Sequence, residues 1–125
     1  MSTATLDSML LSSTDPRRLH AWYAEAFAPD EDSAVDTYRV LRFGGVYLMI
    51  DSRDDIGAAN PEPGRLILNF QVPDARAAAA RLDRMGATWV APLEDRDGSL
   101  FATAVDPDGN YVQLIQLSEA HRAAM

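Results

Sequence analysis

The chain contains no cysteine and no lysine. Without cysteine there can be no disulfide, no thiolate nucleophile, no zinc–cysteine site and no iron–sulfur ligation. All 11 basic residues are arginines against 19 acidic ones, giving a net charge of −8. A surface of that average sign repels phosphate backbones and anionic lipid, so neither nucleic acid nor a membrane is an expected partner. Histidine occurs only twice. No apolar run approaches the ~18 residues needed to cross a bilayer. The opening segment, MSTATLDSMLLSS, has neither a basic leader nor a long apolar stretch, so a cytoplasmic location is expected. No GxSxG elbow, GxGxxG loop or P-loop is present.

What the chain does have is an ordinary globular composition, with 47% hydrophobic residues over 125 positions. That length predicts one domain, residues 1–125, able to bury roughly two-thirds of its unfolded surface. Leu6–Ser13 has the length and apolar content of a strand. Asp15-Pro16 then reads as a helix start, with Asp15 capping and Pro16 tolerated in the first turn. Leu19, Trp22, Tyr23, Ala26 and Phe27 follow at the spacing of a helix that packs one face on a core, and Pro29 stops it. Thr37–Arg42 and Val46–Asp51 predict a hairpin around Gly44-Gly45.

The same order then recurs. Arg65–Val72 predicts a strand, and Asp74 caps a helix whose inner face is Ala75, Ala78, Ala79, Leu82 and Met85, ending at Gly86. Thr88–Pro92, Leu100–Val105 and Tyr111–Leu117 predict three strands. The halves run over about 1–57 and 65–120, joined by the proline-bearing linker 58–64. From helix end to last strand the first half is several residues shorter, so its second strand is expected to be short or absent.

Asp106 to Leu117, DPDGNYVQLIQL, is the most informative stretch. Pro107 pre-sets φ at a turn corner, Gly109 supplies a positive φ, and Asp106 can accept from the amides that follow. The exit strand alternates apolar residues with Gln113 and Gln116. This segment, and the equivalent openings Ser13-Thr14-Asp15 and Val72-Pro73-Asp74 of the two helices, resemble the vicinal-oxygen-chelate superfamily of glyoxalase I, the bleomycin-resistance proteins and the extradiol dioxygenases. The resemblance spans nearly the whole chain. It implies an α+β fold of two βαβββ repeats whose mixed sheet forms a concave cleft.

In metal-using members, four inward-facing positions supply His, Glu or Gln ligands. The resemblance places them at Ser8, Leu48, Ile67 and Gln113. Leu48 and Ile67 have no donor atom, Ser8 is a weak neutral ligand, and Gln113 offers one amide carbonyl where the family commonly has a glutamate. Divalent metals want converging imidazole or carboxylate donors, and a slip of one residue does not restore them. No metal and no cofactor is expected. His20 and His121 fall outside these positions and are expected at the surface. The acidic runs Asp106–Asn110 and Glu94–Gly98 lack the glycine spacing of a calcium loop, and turn or surface roles account for them.

A metal-free cleft of this kind is predicted to be lined by Ser8, Ser12 and Leu48, with Leu10 and Ile50, from the first half. The second half contributes Ile67, Asn69, Trp89, Phe101, Thr103 and Gln113, with Ile115. Apolar and aromatic walls carrying a few neutral hydrogen-bonding groups are the usual build of a small-molecule site. The leading expectation is a binding protein that sequesters an antibiotic or metabolite, as a homodimer. An enzyme of the superfamily (isomerase, lyase or dioxygenase) and a dimeric interaction module with an occluded cleft are the alternatives.

Overall fold

The computed structural model describes residues 2–125. The chain divides into two units that meet at Ala58 and Ala59. The first runs β1 (Ser8–Ser13), α1 (Pro16–Phe27), β2 (Glu31–Val35), β3 (Tyr38–Phe43) and β4 (Val46–Ser52). Its four strands form a sheet in the order β1-β4-β3-β2, with β1 parallel to β4 and the other pairs antiparallel. The second unit repeats this with β5 (Leu68–Gln71), α2 (Ala75–Arg84), β6 (Thr88–Arg96), β7 (Ser99–Val105) and β8 (Tyr111–Gln116), ordered β5-β8-β7-β6. A short α3 (Glu119–Ala123) follows. The architecture is α+β, a βαβββ unit occurring twice.

Both helices begin as their sequences dictate. The Asp15 carboxylate accepts from the Arg18 amide at 3.3 Å, and that of Asp74 from the Ala77 amide at 3.1 Å. The Ser13 hydroxyl accepts from the Asp15 amide at 2.9 Å, tightening the entry to α1. Gly86, at φ +79, closes α2: its amide donates to Asp83 and the Ala87 amide to Leu82. Those are the paired bonds of a Schellman ending.

Each helix packs on one face of its own sheet. In the first unit Leu19, Tyr23 and Ala26 of α1 meet Leu41, Leu48 and Ile50, and all six are buried. In the second, Ala75, Ala79 and Leu82 of α2 meet Leu100, Ala102, Ala104, Val112 and Leu114. The small residues let α2 lie close to the strands while Leu82 and Leu114 fill the space.

The second strand of the first half is short, as expected: β2 has five residues against nine in β6, and is an exposed edge strand held through a two-residue turn at Asp36-Thr37. Asp36 takes φ +53, which Asp tolerates better than most residues. The strand predicted over Arg65–Val72 shortens to β5, because Arg65 to Ile67 are exposed and have no strand partner. Conversely β6 runs on to Arg96 past Pro92, where the register with β7 shifts between Ala91 and Glu94. An edge strand with a bulge accommodates the missing proline N–H.

The segment 58–64 is more than a spacer. The Asn60 amide donates to the Asp108 carbonyl at 2.8 Å, and its side-chain amide to Asn110 Oδ1 at 2.9 Å. It is pinned to the Asp106–Asn110 turn. There the buried Asp106 carboxylate accepts from the backbone amides of Asp108 and Asn110 and from the Asn110 side chain. A carboxylate serving three N–H groups explains how an acidic residue sits buried in this turn.

Candidate functional site

Residues directly paired across neighbouring strands point to the same face. In the first sheet, β1 pairs Ser8 with Tyr47, Leu10 with Met49 and Ser12 with Asp51. These six side chains therefore share the face away from α1. The Ser12 hydroxyl donates to Asp51 Oδ1 at 2.6 Å, which fixes that alignment. Leu48 and Ile50 point the other way, into the α1 core, where they are essentially unexposed.

The expected placement of Leu48 on the ligand face is thus corrected, and that of Ile50 with it. Val46, Leu48 and Ile50 are the uniformly aliphatic set of β4, and a helix-packed face recruits such a set. The equivalence of the repeats identifies the true counterpart of Gln113. Leu10 pairs with Met49 as Asn69 pairs with Gln113, and Leu10 and Asn69 stand equally far before the caps Asp15 and Asp74. Met49 therefore takes the place expected for Leu48.

In the second sheet, Asn69 pairs with Gln113, Gln71 with Ile115, Phe101 with Ile115 and Thr103 with Gln113. These residues form the face away from α2. Thr103 is buried there, and the Gln113 side-chain amide reaches its hydroxyl at 3.5 Å, the limit of a hydrogen bond. Phe101 lies beneath the Arg96 guanidinium, 5.2 Å from the ring centroid, and Arg96 is ion-paired to Glu94. Ile67 immediately precedes β5 and is partly exposed.

Trp89 is the second correction. It pairs with Ala104 on the helix side, and its indole N–H donates to Asp83 Oδ1 of α2 at 2.7 Å. A tryptophan fixed to the helix in this way anchors α2 to β6 and does not line the opposite face.

At one end of the second sheet, α3 is tied down through side chains of the same strands. The Ser99 hydroxyl bonds to His121 and accepts from the Ser118 amide, and Arg122 donates to Gln71 Oε1 at 2.9 Å. His121 is therefore a structural contact, contrary to the free surface position expected of it. His20 differs from expectation too. It is mostly covered and meets both carboxylate oxygens of Asp32 at 2.9 Å, while Arg39 donates to Asp32 at 2.8 Å. Burial works to raise the Asp32 pKa, but the hydrogen bonds and charges of His20 and Arg39 outweigh it and hold the carboxyl below its ordinary value.

Tested against a divalent metal, the donor set does not fit. The four family positions carry Ser8, Met49, Ile67 and Gln113, which provide a hydroxyl, a thioether, no donor and an amide carbonyl. Among the described residues no group of three or more His, Cys, Asp or Glu side chains converges. The lining expected from the sequence leaves out Tyr47, Met49, Asp51 and Arg96, which lie on these faces. The first three were legible in the alternation of β4; Arg96 over Phe101 was not, because it depends on the bulge in β6.

Two βαβββ units with their helices on one side of each sheet define a protein of vicinal-oxygen-chelate type. The family model described as a glyoxalase-like domain matches residues 7–115, and the chain belongs to that family and to its superfamily. No functionally curated protein sequence matches it. Solved structures share the fold at low identity. The oxidase ChaP-H2 superposes with a TM-score of 0.77 at 19% identity, covering 94% of this chain and 96% of that one. The fosfomycin resistance protein FosX from Mesorhizobium loti gives 0.74 at 16% identity, with 98% and 99% covered. A glyoxylase/bleomycin resistance protein/dioxygenase domain from Frankia sp. EAN1pec gives 0.72 at 18%, with 94% and 100% covered.

Proposed function

We propose that this chain is a metal-free small-molecule-binding protein of the glyoxalase/bleomycin-resistance type, acting as a homodimer to sequester a partly aromatic antibiotic or metabolite. The observation that carries the reading is the chemistry at the family's ligand positions: Ser8, Met49, Ile67 and Gln113 are all neutral, and two of them have no oxygen or nitrogen donor. The open face of the first sheet offers apolar contact from Leu10 and Tyr47 and a hydroxyl from Ser12; that of the second offers Phe101 and Ile115 with polar groups from Asn69, Thr103 and Gln113. Faces of this kind orient a ligand by a few hydrogen bonds and bind it mainly by apolar contact. An antibiotic as the ligand class is suggested by the resistance for which two structural neighbours are named.

The test has two arms on the purified protein. Elemental analysis after gentle purification is expected to find no stoichiometric divalent metal, and one tightly held Ni, Zn, Fe or Mn per chain overturns the metal-free reading. A thermal-shift screen of aromatic antibiotics and metabolites is expected to yield stabilising ligands that are recovered chemically unchanged. Recovery of a converted product would place the chain among enzymes instead.

A further inference from the structure

A cavity of about 290 Å³ opens on the helix-packed side of the first sheet, lined by Pro16, Arg17, His20, Thr37, Arg39 and Ile50. Pro16, Arg17 and His20 lie on one side of α1. Arg39 and Ile50 are cross-strand neighbours on β3 and β4. Thr37 comes from the β2–β3 turn. This face is opposite to the one carrying Ser8, Tyr47 and Met49, so the cavity is distinct from the open-face site proposed above.

Its chemistry is specific. The Arg17 guanidinium has no hydrogen-bond or ion-pair partner among the described residues. Arg39 spends one terminal nitrogen on Asp32, while its Nε is buried with no acceptor. An N–H removed from water without an acceptor is costly, and a bound acceptor recovers that cost. Two arginines against the single Asp32 carboxylate leave a local positive surplus in a chain whose overall charge is −8. Guanidinium groups recognise planar or tetrahedral oxyanions through paired N–H donors. Thr37 adds a hydroxyl, and the fully buried Ile50 with Pro16 gives an apolar floor. The volume lies at the small end of metabolite sites.

We infer that this cavity binds a small organic oxyanion, a carboxylate or a phosphate monoester with a short apolar body. The anionic group sits between Arg17 and the free edge of Arg39, and the body rests on Ile50 and Pro16. Binding there closes the unsatisfied Arg39 Nε and joins α1 to the β2–β3 hairpin.

The experiment is amide-resolved NMR titration of the ¹⁵N-labelled protein with benzoate, phenyl phosphate and inorganic phosphate. Saturable shifts are expected at residues 16–20, 37–39 and 50, with the two aromatic anions binding more tightly than inorganic phosphate. The stronger of those two identifies the anionic group. Arg17→Gln, at an exposed position that the fold does not need, is expected to weaken binding about tenfold or more. Arg39→Lys keeps the charge but removes the Nε donor, and is expected to weaken it as well. No saturable shift at these residues up to about 10 mM of any probe, or equal affinity in wild type and Arg17→Gln, overturns the inference. Shifts confined to Asn69, Thr103 and Gln113 would report the open face alone and would also overturn it.

Discussion

At the scale of single residues, Gln113 and Asp32 show how one polar side chain is placed for different work. Gln113 stands where the family commonly carries a carboxylate, and among the described residues its side chain makes one hydrogen bond, the long one to Thr103. Gln113→Leu is therefore expected to leave stability nearly unchanged. If a buried ligand group loses its partner, affinity should fall by about 1–3 kcal/mol. Calorimetric titration with a ligand from the thermal-shift screen checks this, and unchanged affinity makes Gln113 a structural residue. Asp32 is held below its ordinary pKa of 3.8 by His20 and Arg39 against the opposing effect of burial. A carboxyl depressed in the folded state contributes stability that is complete above the unfolded value and disappears as pH falls through the folded one. Asp32 is one-third exposed, so solvent screening moderates the effect. The stability gap between wild type and Asp32→Asn in urea is expected to be wider at neutral pH than at about pH 3. A gap independent of pH would show that the pair contributes nothing through ionisation.

At the scale of elements, the two helices are specified locally and placed by packing. Asp74→Ala removes the side-chain acceptor at the start of α2 and is expected to cost about 0.5–2 kcal/mol in urea unfolding. The denaturant slope should stay the same, because the unfolded surface does not change. Both caps, both helix stripes and the Gly86 ending were legible before the structure, since each depends on contacts within a few residues. The strand faces were less so. The alternation rule read the second sheet correctly, with Phe70 and Leu68 toward the helix and Asn69 and Gln113 away. Applied to β4, the same rule puts Leu48 and Ile50 inside, but ligand counting by family position gave the opposite phase. One residue of slip exchanges the two faces of a strand.

At the scale of the molecule, association is the open prediction. Leu10, Val35 and Tyr47 lie on one face of the first sheet with a third to a half of their surface exposed. The edge strands β2 and β6 also leave backbone groups available for pairing. A second copy covering such surface removes it from water. Light scattering at micromolar concentration is expected to give the mass of a dimer, and a monomer would refute that part of the proposed function. No helix among the described residues is long and apolar enough to cross a membrane.

The repeat itself was written in the chain. Two capped helices, each preceded by a strand and followed by hairpins, and a closing DPDGN turn with Asp106 as its acceptor, are matters of short-range periodicity and turn chemistry. The neutral character of the family's ligand positions was also readable, because residue type does not depend on folding, and replacing Leu48 by Met49 leaves it intact. Tertiary structure decided what lies across space. Trp89 turned to Asp83, His121 met Ser99, and His20, Asp32 and Arg39 gathered from a helix and two strands. The physical reason is range: caps and turns are closed by neighbours in sequence, whereas the partner of a buried ring nitrogen or guanidinium is chosen by packing between distant segments.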